Sequence, residues 1–423
     1  MKVRCAALST VTFLLVSTFT FAQDYSLVPV PAFGTHHSRA IALSESGWIT
    51  GGSLPPTGQS QAFVWSRSGG LQNIGLPGSA SSSGNAVSGN GKVAGIVQFA
   101  RQTGFWWDPS TGGHELDVPN QIANVATGIN NSGEVVGYYV PVEGPDKGFT
   151  WTKSAGFHYL DDLGCVGCLP NAISDTNLVI GALPQPDGSQ HAFAWSLAKG
   201  LIDLGTLGGP NSTAVAVNRA GQVVGHSDTA DGSQHGFFWS RTTGMLDIGI
   251  LAGHVNSWGN AIDASGRVVG SSWGPGNNDG TPFSWTLAGG LQALGPYNLK
   301  FSSADGVNTA GQILLSYYGY GYVSYLLTPV MHTALAVTPN PAKVGQPITF
   351  VATVSSAVHA PPPDGELVNF LNAGAVIATA PLQAGVATLV MPLPKSLIIV
   401  AQYAGDSNYA SSKSKAVSVV VQK

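Results

Sequence analysis

Charge is scarce in this chain: 18 Lys and Arg with 22 Asp and Glu make up 9% of 423 residues, where about 25% is usual. The few basic residues are spread along the chain, so no electrostatic footprint exists for nucleic acid or an anionic membrane surface. Disorder is excluded as well, because the chain is 43% hydrophobic with a net charge of only −4 and can bury a large core. Helical periodicity is missing, and beyond the first two dozen residues no apolar run is long enough to span a bilayer, so no membrane insertion is expected. Cysteine is nearly absent: Cys5, Cys165 and Cys168 are all there is, which rules out a disulfide-rich scaffold. What is abundant is glycine, 55 residues, nearly twice the ordinary share of about 7%.

Lys2 and Arg4 precede an apolar run from Cys5 to Phe21, and Thr20 and Ala22 place small residues before Gln23. This is the pattern of a secretory signal peptide over 1–22, and it predicts a protein that works outside the cytoplasm. Cys165-Val166-Gly167-Cys168 is then the sole cysteine pair. In an oxidising compartment it reads first as a local disulfide stapling one loop, with a redox motif or half a metal site as the alternatives; neither a thioredoxin-like context nor a second ligand pair accompanies it.

A unit of about 44 residues recurs from residue 40 to residue 328. Each has a short apolar strand, a four-residue turn, a strand ending in Val-Val-Gly or a variant, a loop, a strand carrying Phe-x-Trp and a closing strand. The turn slot holds Gly47, Gly91, Gly133, Asn177, Gly221, Gly266 and Gly311, the residue types that best tolerate positive φ in a tight hairpin. Six units carry the ring pairs Phe63/Trp65, Phe105/Trp107, Phe149/Trp151, Phe193/Trp195, Phe237/Trp239 and Phe283/Trp285. Spacing of two puts both rings on one strand face, as packing between repeats requires, and no cofactor box is read there. The seventh unit places Tyr325 in the Trp slot and lacks a fourth strand, which Tyr25–Val30 at the other end of the chain can supply. Such exchange closes a ring and removes its open sheet edges. An open β-solenoid is the competing architecture.

The units resemble the HAF family of bacterial extracellular repeats, on His191-Ala192-Phe193, Asp203-Leu204-Gly205 and Leu207-Gly208-Gly209. Gln61-Ala62-Phe63 and His235-Gly236-Phe237 keep only part of the tripeptide. The resemblance implies secretion and β-repeat architecture but brings no catalytic residues. After 330–332, read as a linker, residues 333–423 show a different β pattern. They resemble bacterial Ig-like repeat domains of surface proteins, most specifically in Pro339–Gly345 and in Tyr403-Ala404-Gly405-Asp406-Ser407-Asn408-Tyr409. The predicted fold is therefore all-β: a seven-bladed β-propeller over 23–329, its last blade closed by the N-terminal strand, then an Ig-like β-sandwich.

Chemistry-bearing motifs are sparse. Gly270-Ser271-Ser272-Trp273-Gly274 fits the expression of a serine hydrolase, yet no helix follows to form the nucleophile elbow, so the match is read as chance. Asp161, Asp162, Asp175, Asp228, Asp231, Asp263 and Asp279 occupy turn or strand-end slots where Asp is a favoured turn residue. No cofactor or metal is expected. Ca²⁺ at Asp228 with Asp231, or at Asn277, Asn278 and Asp279, is the one metal reading, but the six or more ligands it needs cannot be assigned. His191 and His235 follow parallel loops, which points to a structural hydrogen bond with no recurring catalytic partner. Aromatic residues outside the repeat pattern gather after the second strand of units six and seven: Trp273, Tyr317, Tyr318, Tyr320 and Tyr322. They are read as a platform for a carbohydrate or a surface protein. A secreted binding protein is the leading expectation; a carbohydrate-active enzyme with carboxylates converging at the channel is the alternative.

Overall fold

The computed structural model describes residues 24–423 apart from 35–36, 56–57, 277–279, 296–302 and 320. The expected leader, and His36, Asn277, Asn278, Asp279 and Tyr320, thus lie outside the described residues. The fold is all-β and β-propeller-like, with one short 3-10 turn at Leu160–Leu163. No helix among the described residues is long and apolar enough to cross a membrane.

Each repeat folds as a four-stranded antiparallel sheet. In unit two the strands Ser81–Val87, Val93–Gln98, Gln102–Asp108 and Gly112–Leu116 pair in sequence order, and the other units repeat this arrangement. Every turn between first and second strand carries its Gly, or Asn177, at a φ between +58° and +88°. A Ser, Asn or Asp three positions before that residue accepts the amide hydrogen of the residue after it, from Ser44 with Trp48 in unit one to Asn308 with Gln312 in unit seven. Unit seven takes its first three strands from Ser303–Val307, Ile313–Gly319 and Gly321–Pro329. Its fourth is Tyr25–Pro29, antiparallel to Gly321–Pro329 with Leu27 opposite Leu327.

Seven apolar clusters lie between neighbouring units, one per junction. In each of the six clusters carrying a Phe-x-Trp pair, the rings pack onto the preceding unit. Phe237 and Trp239 of unit five meet Ile180, Ala192, Ala194 and Leu204 of unit four; Phe63 and Trp65 of unit one meet Leu314 and Leu326 of unit seven. Burial of each such ring stabilises by about 2–3 kcal/mol. Unit seven departs from the expected alignment: Tyr325 stands opposite Leu315, as Phe63 stands opposite Gly51, so it fills the Phe slot, and Leu327 fills the Trp slot opposite Ile313. Counting along the sequence missed this because the preceding loop differs in length.

A β-bulge interrupts the first strand of every unit at one position. The bulged residues are Ile41, Asn85, Thr127, Asn171, Val215, Asn260 and Asp305, and all seven line one axial cavity of about 580 Å³. A bulge turns the extra side chain out of the alternating pattern. Where that side chain can donate, it reaches a carbonyl of the next unit: Asn85 to Ala126, Thr127 to Pro170, Asn171 to Ala214 and Asn260 to Ala304, at 2.8–3.1 Å. The bulge also explains the Val-Val-Gly motif. A Cβ on Gly51, Gly137, Gly181, Gly225 or Gly270 would lie 1.9–2.0 Å from a carbonyl oxygen of the first strand.

Cys165 and Cys168 are bonded, with Cα atoms 5.5 Å apart. The bridge closes one short loop, as expected: both sulfur-bearing residues are fully buried against Leu160, Ile173, Phe193 and Trp195, while Val166 between them is exposed. Reduction is expected to lower stability by about 2 kcal/mol, the loop-entropy value for so short a closure, and to loosen the region around Leu160–Leu163. Thermal melts with and without reductant check this; collapse of the whole transition on reduction is the contrary result.

The C-terminal domain begins at strand His332–Thr338, which pairs with Pro347–Ser355 and through it with Val386–Pro392. Leu367–Asn372 pairs with Leu397–Tyr403, and Ala375–Gln383 pairs with strands of both groups. Phe350 and Phe370, one from each group, meet at 6.0 Å in the core. That core extends to Met331 and to Ala310 of unit seven, while the Val330 amide donates to the Asp24 carbonyl. The turn Gly405–Tyr409 rests on units seven and one: Gln312 Nε2 donates to the Ser407 carbonyl at 3.0 Å, and Ser68 and Ser407 hydroxyls are 2.8 Å apart. Arg67 is half-buried, which lowers its pKa, with the Asp406 carboxylate acting in the opposite direction.

Candidate functional site

Antiparallel order puts two tight turns of every unit on one face and its two longer connections on the other. On the loop face, Trp258 stands in the first strand of unit six, opposite Ser271. Its ring lies between His226 of unit five, with centroids 5.4 Å apart, and Trp273, at 6.0 Å. Trp258 is 41% exposed, unusual for so large an apolar ring. Its Nε1 donates to Gln234 Oε1 at 2.6 Å, which fixes the ring plane. Gln234 Nε2 donates in turn to Asp228 Oδ1, and Asp228 Oδ2 accepts from Asn211 Nδ2 at 2.8 Å. An exposed indole framed by a carboxylate and amides is the arrangement that stacks on a sugar ring while hydrogen-bonding its hydroxyls.

Burial lowers the pKa of His226, with Asp228 pulling the other way. The ring tilted against Trp258 is thus biased toward its neutral form. Trp273 Nε1 and His254 Nδ1 are buried without a hydrogen-bond partner among the described residues. Such groups cost about 1–3 kcal/mol when left unpaired.

Of the aromatics singled out in the sequence, Trp273 belongs to this cluster. Tyr317 is 36% exposed on the second strand of unit seven, and among the described residues no ring contact links it to Trp273. Tyr318 and Tyr322 pair through their backbones, and Tyr320 lies outside the described residues. The group brought together straddles units five and six, and its most exposed member, Trp258, was missed. A signal was available. Its slot holds Arg39, Ser83, Val125, Leu169, Thr213 and Ser303 in the other units, so a ring there is exceptional.

The remaining candidates do structural work. Asp263 accepts from Ser265 and Arg267 amides, and Asp231 from the Ser233 amide and hydroxyl, which holds its pKa well below the carboxylate range. Asp161 faces Lys147 at 3.5 Å and accepts the Gly167 amide. Asp175 takes two hydrogen bonds from Asn131. His191 and His235 make the structural hydrogen bond expected of them, and its partner does recur, which was not expected: Nδ1 of each lies 2.8 Å from Asp203 and Asp247 respectively. Those carboxylates also accept the Gly205 and Gly249 amides, so each pair ties a third strand to its fourth. Ser271 and Ser272 are buried in a strand. Among the described residues no group of three His, Cys, Asp or Glu could hold a metal ion.

Residues 335–422 match the model of the bacterial Ig-like domain (group 3), so the C-terminal domain is of this type. No curated protein matches the chain. Among solved structures it is similar to TolB from Acinetobacter baumannii at 13% identity, over 67% of this chain and 64% of that one, with a TM-score of 0.37. A gluconolactonase from Xanthomonas campestris aligns at 12% identity over 72% of this chain and 89% of that one, TM-score 0.37. AofleA from Arthrobotrys oligospora aligns at 11% identity over 67% and 94%, TM-score 0.35. Alignments this loose bear on neither ligand nor activity.

Proposed function

We propose that the chain is an exported, non-enzymatic binding protein: a seven-bladed propeller of HAF-type repeats, closed by its N-terminal strand, with an Ig-like β-sandwich fixed to its turn face. The ligand is a carbohydrate received on the loop face over units five and six. The observation that carries this reading is Trp258, exposed yet held in plane by Gln234 beside Asp228 and Asn211. Binding is favoured over hydrolysis because glycoside cleavage needs two free carboxylates facing one bond. Around the channel, Glu45 instead accepts the Ala264 and Thr309 amides, Asp175 takes two hydrogen bonds from Asn131, and Asp305 accepts the Ser303 hydroxyl.

Trp258→Ala is expected to weaken binding of a neutral oligosaccharide about five- to thirtyfold, since loss of one stacked ring costs on the order of 1–2 kcal/mol. Stability should change little. Glycan-array screening followed by calorimetry of the wild type and the variant checks this; a ligand bound equally by both excludes the Trp258 face.

A further inference from the structure

The junction of units seven and one shows how the turn face of this molecule receives a partner. There the Gly405–Tyr409 turn lies so close that a Cβ on Gly47 would meet Asn408 Oδ1 at 2.5 Å and the Ser407 carbonyl at 2.9 Å. Beside it stands Arg67, which follows Trp65 and Ser66 at the end of the third strand, donates to Thr328 Oγ1 at 3.2 Å and lies in the field of the Asp406 carboxylate without forming an ion pair with it. A glycine admits the main chain, and a cation stands beside the acidic turn.

Most other junctions are plugged. A Cβ on Gly91 would meet Trp48 at 3.0 Å, one on Gly133 would meet Lys92 at 3.1 Å, one on Gly266 would meet Gln222 at 3.0 Å, and one on Gly311 would meet His359 of the C-terminal domain at 2.5 Å. The junction of units three and four has Asn177 in place of the glycine. At units four and five a Cβ on Gly221 would meet only the tip of Leu178, at 3.5 Å, an ordinary contact. Arg241 follows Trp239 and Ser240 as Arg67 follows Trp65 and Ser66. The groove there, about 640 Å³, is lined by Arg219, Arg241 and Lys199 and by no carboxylate. None of these three cations has an ion pair or side-chain hydrogen bond among the described residues, in a chain with 18 Lys and Arg.

We infer that the groove between units four and five is a docking site for an acidic turn of a partner protein, of the Gly-Asp-Ser-Asn kind that this chain's own C-terminal domain lays between units seven and one. Three cations are too few for a nucleic acid, whose binding rests on many phosphate contacts, but they suit one or two carboxylates on a tight turn. The site goes beyond the carbohydrate reading and lies on the opposite face.

The probe is a cyclic peptide carrying residues 404–410 of this chain, titrated against the full chain at low salt. Saturable binding is expected, at least tenfold weaker with an Asp406→Asn peptide, with Arg241→Ala, and with Leu178→Trp, which copies the plug that Trp48 forms over Gly91. Thermal melts establish that both variants fold. Absence of saturable binding, or binding unchanged in both variants, overturns the inference. So does an oligogalacturonate that binds this groove at least tenfold more tightly than the peptide, since the site would then belong to an acidic glycan. A Trp258→Ala chain keeps peptide binding, which separates failure here from failure of the loop-face site.

Discussion

Deleting residues 24–30 is expected to yield a chain that melts far earlier and associates more than the parent. The lost segment supplies the fourth strand of unit seven, five backbone pairs against Gly321–Pro329, together with the Val30 amide bond to the Ser324 carbonyl. Val30 is buried at the junction with unit one, and Tyr25 and Leu27 pack on the junction with unit six. Three such side chains at about 1.5–3 kcal/mol each sum to a large part of the roughly 5–15 kcal/mol that keeps a domain folded. The strand left behind would present an unpaired edge, a template for pairing with another chain. Calorimetry and light scattering on the truncated chain test this; an unchanged melt with a monomeric profile would show that closure does not depend on the N-terminal strand.

Gly225→Ala should be among the most damaging single methyl groups in the chain. A Cβ there meets the Thr213 carbonyl at 1.9 Å and Phe237 Cε1 at 2.9 Å. Neither neighbour can retreat: Thr213 precedes the bulge of its strand, and Phe237 is wedged between two units. Overpacking of this kind costs at least about 3 kcal/mol. Gly274→Ala is the control, because nothing lies within 4 Å of its position, and it should stay within about 0.5 kcal/mol of the parent. Denaturant midpoints at constant slope compare the two. Equal losses would mean that the bulge yields and that the Val-Val-Gly pattern has another cause.

These expectations divide by how far apart in the chain their causes lie. Repeat length, the positive-φ turn residues, the shared face of Phe-x-Trp and the extra strand at Tyr25–Val30 were legible from residues, because turn chemistry and strand alternation act within a few positions. Trp273 was legible as a departure from the repeat. The bulge, the slot of Tyr325, the Asp partners of His191 and His235, the buried setting of Cys165 and Cys168, and the packing of His226 against Trp258 were not. Each depends on register between strands that are neighbours only after folding, and a one-residue slip reverses every side chain's face. The same holds for the Gly405–Tyr409 turn, which the sequence marks as a local turn and nothing more. Only the packed molecule seats it on Gly47 and Arg67, since that contact joins residues more than 330 positions apart and is set by the closing of the ring.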